Sequence, residues 1–516
     1  MKLSQLLRQV TYQVVKGTKD REIKGLKCDS RLVEGRDVFV CIKGYETDGH
    51  RFLTEAIERG AAAVVVQESC PKCRGRKRCL GRQIPAEEIT VVSVADTRYA
   101  LAVMAAAYYG YPARELQMIG ITGTKGKTTT AYMIREGLLA AGHQAGLIGT
   151  VEVDTGKRVF SCGNTTPESL EIQKYLREMA DNGCDSVVME VSSQALKLYR
   201  TAGIFFKIGV FTNLGRDHIG PGEHADMEEY LQCKRRLFFQ CETAVGNADD
   251  PCLARIWRGT PCRKMTYGTV WKRRGNFKSQ RSVVFQSDIR RLDYKALELN
   301  YTDMENVLGI TCRVEGRMAG ELKLGLPGAF NIVNGLAAAA VLNVLGIPGS
   351  GIFPALEMVR VPGRMEAVPA PADCCILVDY AHNAMSLEQS LQTLREYHPA
   401  RLVVIFGCGG NRSKERRFTM GETAGTYADF TIITTDNPRF ERPESIMTDI
   451  ECGIKRTKGR YIMIKDRQEA IDYAVRMRES GDVILIAGKG HETYQEIRGI
   501  RYPMDDRELV RRCTQI

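Results

Sequence analysis

The sequence predicts an α/β protein of three domains, the central one built around a mostly parallel sheet. At 516 residues, the chain is long enough for about three domains. Short apolar runs alternate with amphipathic helical patterns along most of it, which is typical of repeated βαβ units. Turn-forming stretches at 109–112, 347–351 and 361–363 interrupt this alternation. We therefore assign the N-terminal, central and C-terminal domains to residues 1–98, 99–350 and 351–516.

The composition is that of an ordinary globular protein, with 44% hydrophobic and 26% charged residues. No apolar run reaches the length of a bilayer span, and the N-terminus lacks the apolar core and cleavage site of a signal peptide. We therefore expect a cytoplasmic protein, without a membrane span, that acts as a monomer. The 17 cysteines are odd in number and scattered, which indicates reduced thiols rather than a disulfide framework.

The N-terminal domain begins as an α/β unit, since β-branched runs at 38–40 and 62–66 predict strands. A stretch that looks inserted follows them and contains three closely spaced cysteines. These thiols could hold zinc, but no convincing fourth ligand lies nearby. A surface insertion with free thiols is the favoured interpretation. The three cysteines are Cys70, Cys73 and Cys79.

The net charge of +11 comes in part from two basic clusters, at 70–80 and 271–282. Neither cluster is interleaved with aromatic residues, as a groove that binds nucleic acid would be. We therefore expect no nucleic-acid partner. A solvated face, or help in attracting an anionic substrate, explains the charge better.

A glycine-rich loop after the apolar run 116–122 is the most informative segment. That run predicts a buried strand, and a helical pattern begins at Lys127. A strand, a glycine loop and a helix N-terminus together bind phosphate through backbone N–H groups and the helix dipole. Lys127 would neutralise phosphate charge and Thr128 would hold Mg²⁺, so we expect a central domain of the P-loop type. The motif is a shortened form, because Ile121 stands where the full spacing has its first glycine. The predicted phosphate-binding residues are Gly123, Thr124, Lys125, Gly126, Lys127, Thr128 and Thr129.

Two further strands of the central domain end in residues that could bind metal. The run 185–193 carries Glu190 near its end, where burial would be costly without a counter-charge such as a metal ion. The run 209–213 leads to His218, whose ring nitrogen could be a ligand. A single Glu or His is more often structural, but these two are expected at the same sheet edge as the phosphate loop.

Lys234 lies within an apolar stripe of a predicted helix over 227–241. Its flanking arginines lie off that stripe. Two interpretations stay open at this point. Either the lysine snorkels to solvent, or it is a buried functional lysine with a shifted pKa.

In the C-terminal domain, each of four unusual polar clusters follows an apolar run that predicts a strand. Ligands of open parallel sheets bind outside the carboxyl ends of the strands, so we expect all four clusters at one edge of a Rossmann-like sheet. The four clusters lie at 379–382, 407–412, 436–439 and 488–492.

These motifs together resemble the ATP-dependent Mur ligases of peptidoglycan synthesis, over nearly the whole chain. The likeness is strongest to the branch that adds diaminopimelate. The matching stretches are 29–31 (DSR), 48–50 (DGH), 123–129 (GTKGKTT), 164–167 (NTTP), 189–193 (MEVSS), 212–214 (TNL), 217–218 (DH), 247–250 (NADD), 331–334 (NIVN), 362–366 (PGRME), 379–382 (DYAH), 407–411 (GCGGN), 436–439 (DNPR) and 488–492 (GKGHE).

The resemblance implies a first domain that holds a uridine nucleotide, a central domain that binds ATP and a last domain that brings an amino acid. It also implies that Lys234 is carbamylated by CO₂ and, with Thr128, Glu190 and His218, holds Mg²⁺. The catalytic residues would be Lys127, Lys234, Glu190 and His218. The residues implied for the UDP substrate are Ser30, Tyr45, Glu46, Thr47, Thr165, Thr166, Ser192 and Arg200, and those for ATP, besides the loop, are Asn331, Arg364 and Asp379.

The implied reaction joins meso-diaminopimelate to UDP-N-acetylmuramoyl-L-alanyl-D-glutamate. ATP would phosphorylate the terminal carboxylate, and the amine of the amino acid would attack the acyl phosphate. Diaminopimelate carries a second carboxylate that lysine lacks, and the guanidinium of Arg439 suits it. The residues implied for the amino acid are Arg412, Asp436, Asn437, Pro438, Arg439, Gly488 and Glu492.

The chain departs from the family pattern at several positions. The loop after His218 is two residues longer than usual, and either Glu223 or His224 could replace its usual acid and histidine. Gln194 stands where the family has His. The other departures are Asn383, Ala384, Asn411 and Ser413.

Four alternatives to the diaminopimelate ligase follow. A close relative could add lysine or another amino acid to the same nucleotide. A folylpolyglutamate-synthetase-like ligase is disfavoured by the NTTP stretch and Arg439. A nucleotide-binding paralogue without catalysis is supported only by the altered loop after His218, and a nucleic-acid-binding NTPase lacks any recognition module.

Overall fold

The computed structural model of the chain describes residues 1–45, 47–68, 89–220, 222–271, 292–304 and 307–514. Its internal contacts divide it into two compact units, residues 1–127 with 142–265, and residues 128–141 with 266–516. Glu46, the three clustered cysteines and the basic stretch 272–282 lie outside the described residues, so the zinc interpretation is not tested. No helix in the described parts of the chain is both long and apolar enough to cross a membrane.

The N-terminal part of the first unit is a five-stranded sheet in the order β1-β5-β4-β3-β2. Strand β1 pairs antiparallel with β5, and the other pairs are parallel. The β-branched runs predicted as strands are buried in β3 and β4. The strands are β1 (Tyr12–Lys16), β2 (Leu26–Lys27), β3 (Val38–Val40), β4 (Ala63–Gln67) and β5 (Thr90–Val94), and the helices are α1 (Leu3–Leu6), α2 (Leu53–Glu58) and α3 (Thr97–Tyr108).

Seven strands of the central sheet also belong to the first unit, in the order β12-β11-β6-β10-β7-β8-β9. The five from β12 to β7 are parallel, and β8 and β9 add an antiparallel edge. These strands are β6 (Gln117–Thr122), β7 (Ala145–Ile148), β8 (Val153–Asp154), β9 (Val159–Phe160), β10 (Ser186–Glu190), β11 (Phe206–Phe211) and β12 (Cys241–Asn247). The helices of this part are α5 (Ser169–Asp181), α6 (Ser193–Lys197), α7 (Met227–Arg235) and α8 (Leu253–Trp257), whereas α4 (Lys127–Ala140), which follows β6 in the chain, belongs to the second unit from Thr128 onwards.

The parallel strands of this sheet are apolar because both of their faces are covered. All residues of β10 are buried, as are all of β6 except Gln117. In the register of the sheet, Glu190 lies opposite Ile121, and Phe211 lies opposite Thr122. The carboxyl ends of β10 and β11 therefore meet the start of the phosphate loop at one edge, as the sequence predicts.

The second unit contains four strands in the order β16-β15-β14-β13 and a six-stranded C-terminal sheet in the order β17-β18-β22-β19-β20-β21. In the C-terminal sheet only the β17–β18 pair is antiparallel. The strands are β13 (Arg263–Thr269), β14 (Tyr294–Met304), β15 (Val307–Gly316), β16 (Gly320–Leu324), β17 (Glu366–Val368), β18 (Cys374–Asp379), β19 (Arg401–Phe406), β20 (Phe430–Ile433), β21 (Arg460–Met463), β22 (Asp482–Ala487), β23 (Tyr494–Ile497) and β24 (Ile500–Pro503).

Helices accompany both sheets of the second unit, and β23 and β24 form a separate hairpin. Two buried apolar clusters fill the C-terminal domain, both with contributions from β18, β19, β20 and β22. This layered arrangement is the Rossmann-like architecture that the sequence predicts. The helices are α9 (Ala329–Val344), α10 (Gly349–Glu357), α11 (Ala384–Arg395), α12 (Lys414–Tyr427), α13 (Pro443–Ile454), α14 (Arg467–Arg476) and α15 (Asp506–Thr514).

The helix predicted over 227–241 is shorter in the structure. Helix α7 ends at Arg235, a 3₁₀ turn covers Arg236–Phe239, and Cys241 already belongs to β12. The apolar stripe continues past the helix end because the turn and the strand bury their own apolar residues. Hydrophobic spacing alone therefore placed the end of this helix too late. Every cysteine in the described part of the chain is a free thiol.

Candidate active site

The phosphate loop is held in place by the segment after β11. The backbone N–H of Thr124 donates to the carbonyl of Asn213 at 2.9 Å, and that of Lys125 donates to the Asn213 side chain at 2.9 Å. A Cβ atom at Gly123 would lie 1.9 Å from Oγ1 of Thr212, so only glycine fits there. Gly126 has φ of +84°, which glycine adopts without strain. The motif thus requires glycine at Gly123 because no side chain fits there, and favours it at Gly126 because of the backbone conformation.

Lys127 and Lys234 both direct their ammonium groups at this loop. Lys127 Nζ donates to the carbonyls of Gly123 and Thr124 at 2.9 and 3.1 Å. Lys234 Nζ donates to the same Gly123 carbonyl at 2.8 Å and lies 4.4 Å from the ring centre of Tyr230. Two basic side chains, 107 positions apart in sequence, therefore meet at one carbonyl oxygen.

Lys234 is only 1% exposed, so the snorkelling interpretation is wrong. Burial, with the nearby charge of Lys127, lowers the pKa of Lys234 well below its usual range. A buried ammonium loses its hydration, and the neutral amine is the form that burial favours. Burial therefore shifts this lysine toward its neutral amine, which is the nucleophilic form.

Glu190 is buried at the end of β10, with 1% of its surface exposed. Its carboxylate accepts hydrogen bonds from both the backbone N–H and the hydroxyl of Thr150, at 2.8 and 3.1 Å. Sequence reasoning did not single out Thr150. The sequence feature that could have identified Thr150 is its position just after β7, at the same sheet edge as Glu190.

His218 lies in the lengthened loop, half-exposed and with φ of +55°. Its Nδ1 is 3.1 Å from a carboxylate oxygen of Glu223. His224, by contrast, is buried, and its Nε2 lies 2.9 Å from the hydroxyl of Ser193. Glu223 is therefore the acid in contact with His218, whereas His224 packs against Ser193. A carboxylate on one ring nitrogen leaves Nε2 as the nitrogen that can ligate a metal.

The residues implied for the muramoyl dipeptide surround Glu190. The Thr166 hydroxyl donates to the Glu190 carbonyl at 2.8 Å and accepts from the Ser192 backbone N–H at 3.0 Å. Arg200 donates to the Thr166 carbonyl at 2.8 Å, and the Thr165 hydroxyl lies 3.0 Å from that of Thr150, which can accept from it. The structure thus brings four of the implied substrate residues to one place, which are Thr165, Thr166, Ser192 and Arg200.

In the N-terminal domain, Ser30 is buried and its hydroxyl donates to Glu55 at 2.9 Å. The hydroxyl of Tyr45 accepts a hydrogen bond from Gln194 at 2.7 Å. Gln194 stands where the family has His, and this contact gives the glutamine a partner. Thr47 closes a tight turn, since its carbonyl accepts from the backbone N–H of Gly44 at 2.8 Å.

The other residues implied for ATP belong to the second unit, where Thr128 is buried in the first turn of α4. Asn331 is also buried, and its amide donates to the Pro327 carbonyl at 2.8 Å. Asp379 accepts from the backbone N–H of Met365 at 2.8 Å, and burial raises the pKa of this carboxyl above its usual value. The guanidinium of Arg364 lies 4.8 Å from the ring centre of Tyr380.

The four polar clusters of the C-terminal domain meet at one edge of the sheet, as the sequence predicts. Asn437 donates to Glu492 at 2.8 Å, and a Cβ at Gly488 would lie 2.8 Å from an oxygen of Asp436. A Cβ at Gly410 would meet the carbonyl of Pro438 at 2.0 Å. Loops from three neighbouring strands therefore pack closely enough to require glycine.

Arg439 forms several hydrogen bonds within this cluster, through both its side chain and its backbone. Its Nη1 donates to the Gly410 carbonyl at 2.8 Å, and its Nε donates to Glu496 at 3.3 Å. Its backbone adopts φ of +50°, which costs a non-glycine residue energy. The β23 residue Glu496 also accepts, through its carbonyl, the backbone N–H of Arg439 at 3.0 Å. Arg412, two residues after Gly410, is exposed.

Two buried cations of this domain were missed by sequence reasoning. Lys489 is fully buried and donates to Asn437 and Glu492, at 3.2 Å each. Arg467 is also fully buried and forms a bidentate ion pair with Asp506, with both contacts at 2.7 Å. Burial raises the pKa of Asp436 above its usual value, although the nearby charges of Lys489 and Arg467 act in the opposite direction. The only available signal for Lys489 was its place inside the GKGHE stretch.

Comparison with known proteins agrees with this architecture. Three family models match the chain: "Mur ligase family, catalytic domain" over residues 22–109, "Mur ligase middle domain" over 121–342, and "Mur ligase, glutamate ligase domain" over 363–490. Together they cover most of the sequence, in the order that the resemblance predicts.

Similar proteins also align over the full length. A UDP-N-acetylmuramoyl-L-alanyl-D-glutamate–2,6-diaminopimelate ligase from Caldanaerobacter subterraneus is 38% identical, over 99% of this chain and 98% of the relative. A ligase of the same description from Geobacillus thermodenitrificans is 39% identical, over 100% and 99%. A solved structure of such a ligase has a TM-score of 0.69 at 27% identity, and covers 100% of this chain and 99% of its own.

Proposed function

The chain belongs to the Mur ligase family, and we propose that it joins meso-diaminopimelate to UDP-N-acetylmuramoyl-L-alanyl-D-glutamate with the hydrolysis of ATP to ADP. The relatives that carry this description align over 99–100% of this chain and over 98–99% of their own length. The observation that carries the choice of amino acid is the Arg439 guanidinium at the strand edge where four polar clusters meet.

The first step is the transfer of a phosphoryl group from ATP to the terminal carboxylate of the dipeptide. The loop 123–129 offers backbone N–H groups and the start of α4 to the phosphates. Lys127 would release its hydrogen bonds to the loop carbonyls and neutralise charge that develops on the phosphoryl oxygens. Thr165, Thr166, Ser192 and Arg200 would hold the dipeptide beside Glu190.

The donor groups of the first unit fit Mg²⁺ if Lys234 becomes a carbamate. Glu190 supplies a buried carboxylate, and His218 is oriented by Glu223. Mg²⁺, when bound, would neutralise the phosphates and polarise the transferred group. Hard oxygen ligands suit this ion, and an ammonium at Lys234 would repel it. The Thr128 hydroxyl is the further ligand that the phosphate-loop motif predicts.

The neutral amine of Lys234 can form that carbamate directly. Its lone pair attacks the carbon of CO₂, and a nitrogen–carbon bond forms as one carbon–oxygen π pair moves onto oxygen. One proton passes from the nitrogen to solvent. The product is a carboxylate at the end of a long side chain, in place of a buried amine. The lowered pKa of Lys234 supports this step because it supplies the unprotonated nucleophile.

The second step is the attack of the amine of the amino acid on the acyl phosphate, after which phosphate leaves. Arg439 and Arg412 would bind the distal carboxylate of diaminopimelate, which lysine lacks. Asp436, Asn437, Pro438, Gly488 and Glu492 would surround its amino and carboxyl groups. The Asn437–Glu492 hydrogen bond already joins two of these residues.

The test is phosphate release with ATP, Mg²⁺ and the UDP-dipeptide, comparing meso-diaminopimelate with L-lysine. We expect phosphate release to depend on diaminopimelate. We also expect kcat/KM to fall at least about 100-fold in Arg439→Ala, because the bidentate contact of the guanidinium with the substrate carboxylate is lost. Arg456→Ala removes an exposed guanidinium of the same domain, over Phe418, and serves as the matched control.

Two other outcomes would replace the proposal. Release with lysine, unaffected by Arg439→Ala, would keep the ligase but reject the amino acid. Absence of release with any amino acid, despite ATP binding, would favour the non-catalytic paralogue.

A further inference from the structure

A second cluster of metal-binding side chains lies beside the proposed active site and has no part in the proposed reaction. It consists of His224, Glu229 and Cys233, whose donor atoms all lie within 4.8 Å of one another. His224 and Cys233 are buried, and Glu229 is 34% exposed at its side chain. The cluster therefore has a closed inner side and an opening to solvent.

The positions of Glu229 and Cys233 follow from helix α7. They are four residues apart, so they share one face of the helix and point to the same side. Asp226 caps this helix by accepting from the backbone N–H of Glu229, which fixes its first turn. His224 comes from the loop directly before the helix. Three donors from one short segment are thus brought together by the helix start.

His224 shows an unsatisfied ring nitrogen that points into the cluster. Its Nε2 lies 2.9 Å from the Ser193 hydroxyl, which can accept a proton from Nε2 and so leave Nδ1 as the nitrogen with the lone pair. Its Nδ1 is buried and has no hydrogen-bond partner among the described residues. The nearest carboxylate oxygen, Oε2 of Glu229, is 3.8 Å away, too far for a hydrogen bond. A buried lone pair without a donor is costly, and a metal ion would satisfy it.

We propose that His224, Glu229 and Cys233 form a binding site for a divalent transition-metal ion, with zinc as the ion that fits best. A nitrogen, a carboxylate oxygen and a thiolate are the donors that zinc takes, whereas Mg²⁺ prefers oxygen alone. In tetrahedral zinc, donor atoms lie roughly 3.3–3.6 Å apart, so small side-chain movements close this cluster around an ion. Water takes the fourth position.

Binding places two anionic donors on the ion. The Cys233 thiol loses one proton to solvent as the zinc–sulfur bond forms, so a thiolate and the Glu229 carboxylate face the two charges of the ion, and the ammonium of Lys197 leaves the site with one positive charge. Lys197 pairs with the other carboxylate oxygen of Glu229 at 2.9 Å and does not occupy Oε2. The backbone N–H of Ala225 donates to Oε2 at 2.7 Å, which leaves a lone pair of that oxygen for the ion.

Such an ion would join the lengthened loop to the helix that carries Lys234. The loop is already attached to α6 through the contacts of His224 with Ser193 and of Lys197 with the Glu223 carbonyl. Binding would hold Glu223, and with it His218, in one arrangement. The site is thus placed to stabilise the metal-binding side of the proposed active centre, without a ligand in common with it.

The test uses Co²⁺ as a coloured substitute for zinc, added to the full chain and to Cys233→Ser. We expect one tightly held equivalent that shows a thiolate-to-cobalt absorption band, and release of one proton as it binds. Both are expected to disappear in Cys233→Ser and the affinity to weaken at least 10-fold in Glu229→Gln. Cys184→Ser removes another buried thiol of the same unit and is the control.

A control must show that cobalt does not bind to other cysteines of the chain. The measurements are therefore repeated in a Cys70→Ser, Cys73→Ser, Cys79→Ser background, which removes the alternative zinc ligands of the N-terminal domain. A band that persists in Cys233→Ser, or that disappears with the three N-terminal substitutions, would overturn the proposal. So would binding of Mg²⁺ in preference to Co²⁺ at the same residues.

Discussion

Lys234 shows what a single residue can contribute when its surroundings are decided elsewhere in the chain. The apolar stripe around it placed the lysine on a buried helix face, but the stripe could not say where its nitrogen points. The structure directs Nζ to the Gly123 carbonyl, close to the charge of Lys127. Burial and this charge together lower its pKa, and reactivity follows from that environment.

For Lys234 we predict a carbamate that is present at neutral pH. The pKa of Lys234 is lowered, so the unprotonated amine persists to lower pH than in an exposed lysine, and the carbamate is lost only as acid protonates the nitrogen. Labelling with ¹³CO₂ should give one carbamate NMR signal that decreases as pH falls. Lys234→Ala should abolish it and lower kcat at least about 100-fold, as the loss of a metal ligand does.

Lys455 provides the comparison, because it is exposed and its pKa is raised by the Glu451 carboxylate. Lys455→Ala should leave the carbamate signal and kcat unchanged. A signal that survives in Lys234→Ala would assign the carbamate to another lysine.

At the scale of elements, helices α12 and α13 illustrate how glycine sets a packing distance. A Cβ at Gly453 would lie 2.1 Å from the carbonyl of Phe418, and one at Gly421 would lie 2.1 Å from that of Ile450. The two helices therefore approach backbone to backbone. Each follows a loop of the proposed amino-acid site, so their spacing helps to set the spacing of those loops.

We predict that Gly453→Ala destabilises the C-terminal domain by about 1–3 kcal/mol, because an added methyl group must push the two helices apart. The expected change is a lower urea midpoint, followed by circular dichroism, together with a raised KM for the amino acid. Gly351→Ala is the matched control, since its Cβ would only touch Ile347 at an ordinary 3.6 Å. Equal stability of the two variants would contradict the packing argument.

Element boundaries also show where sequence patterns stop being informative. The strands β6, β10, β18 and β22 coincide closely with apolar runs, because parallel strands are buried on both faces. Helix α7 ended earlier than its pattern indicated. A 3₁₀ turn and a strand continue to bury apolar residues after it, and hydrophobicity alone does not register that change of backbone.

For the whole molecule, the net charge of +11 predicts an effect of salt on the binding of anionic substrates. The UDP-dipeptide and ATP are both anions, and a positive protein attracts them over distances that salt shortens. The Debye length is already about 10 Å at 0.1 M salt. We expect KM for the UDP-dipeptide to rise severalfold between about 0.1 and 0.5 M KCl, with kcat at saturation little changed.

The same measurement separates the two explanations of the basic stretch 271–282. Lys272→Gln, Arg273→Gln and Arg274→Gln remove three charges from it together. If the stretch attracts substrate, the salt dependence becomes weaker in this variant. An unchanged dependence identifies a solvated face, and a KM independent of salt in the parent protein would reject long-range attraction altogether.

The sequence by itself determined the order of the strands along the chain, the phosphate loop, the four clusters at the C-terminal sheet edge, and the family. These features depend on residues close together in sequence, where hydrophobic period and glycine placement act directly. Only the tertiary structure decided which partner each functional group takes. Thr150, in the turn after β7, bonds to Glu190, Glu223 contacts His218, and the Gly123 carbonyl accepts a hydrogen bond from Lys234. Such contacts join segments that are separate in sequence, and their geometry is fixed by how the loops pack.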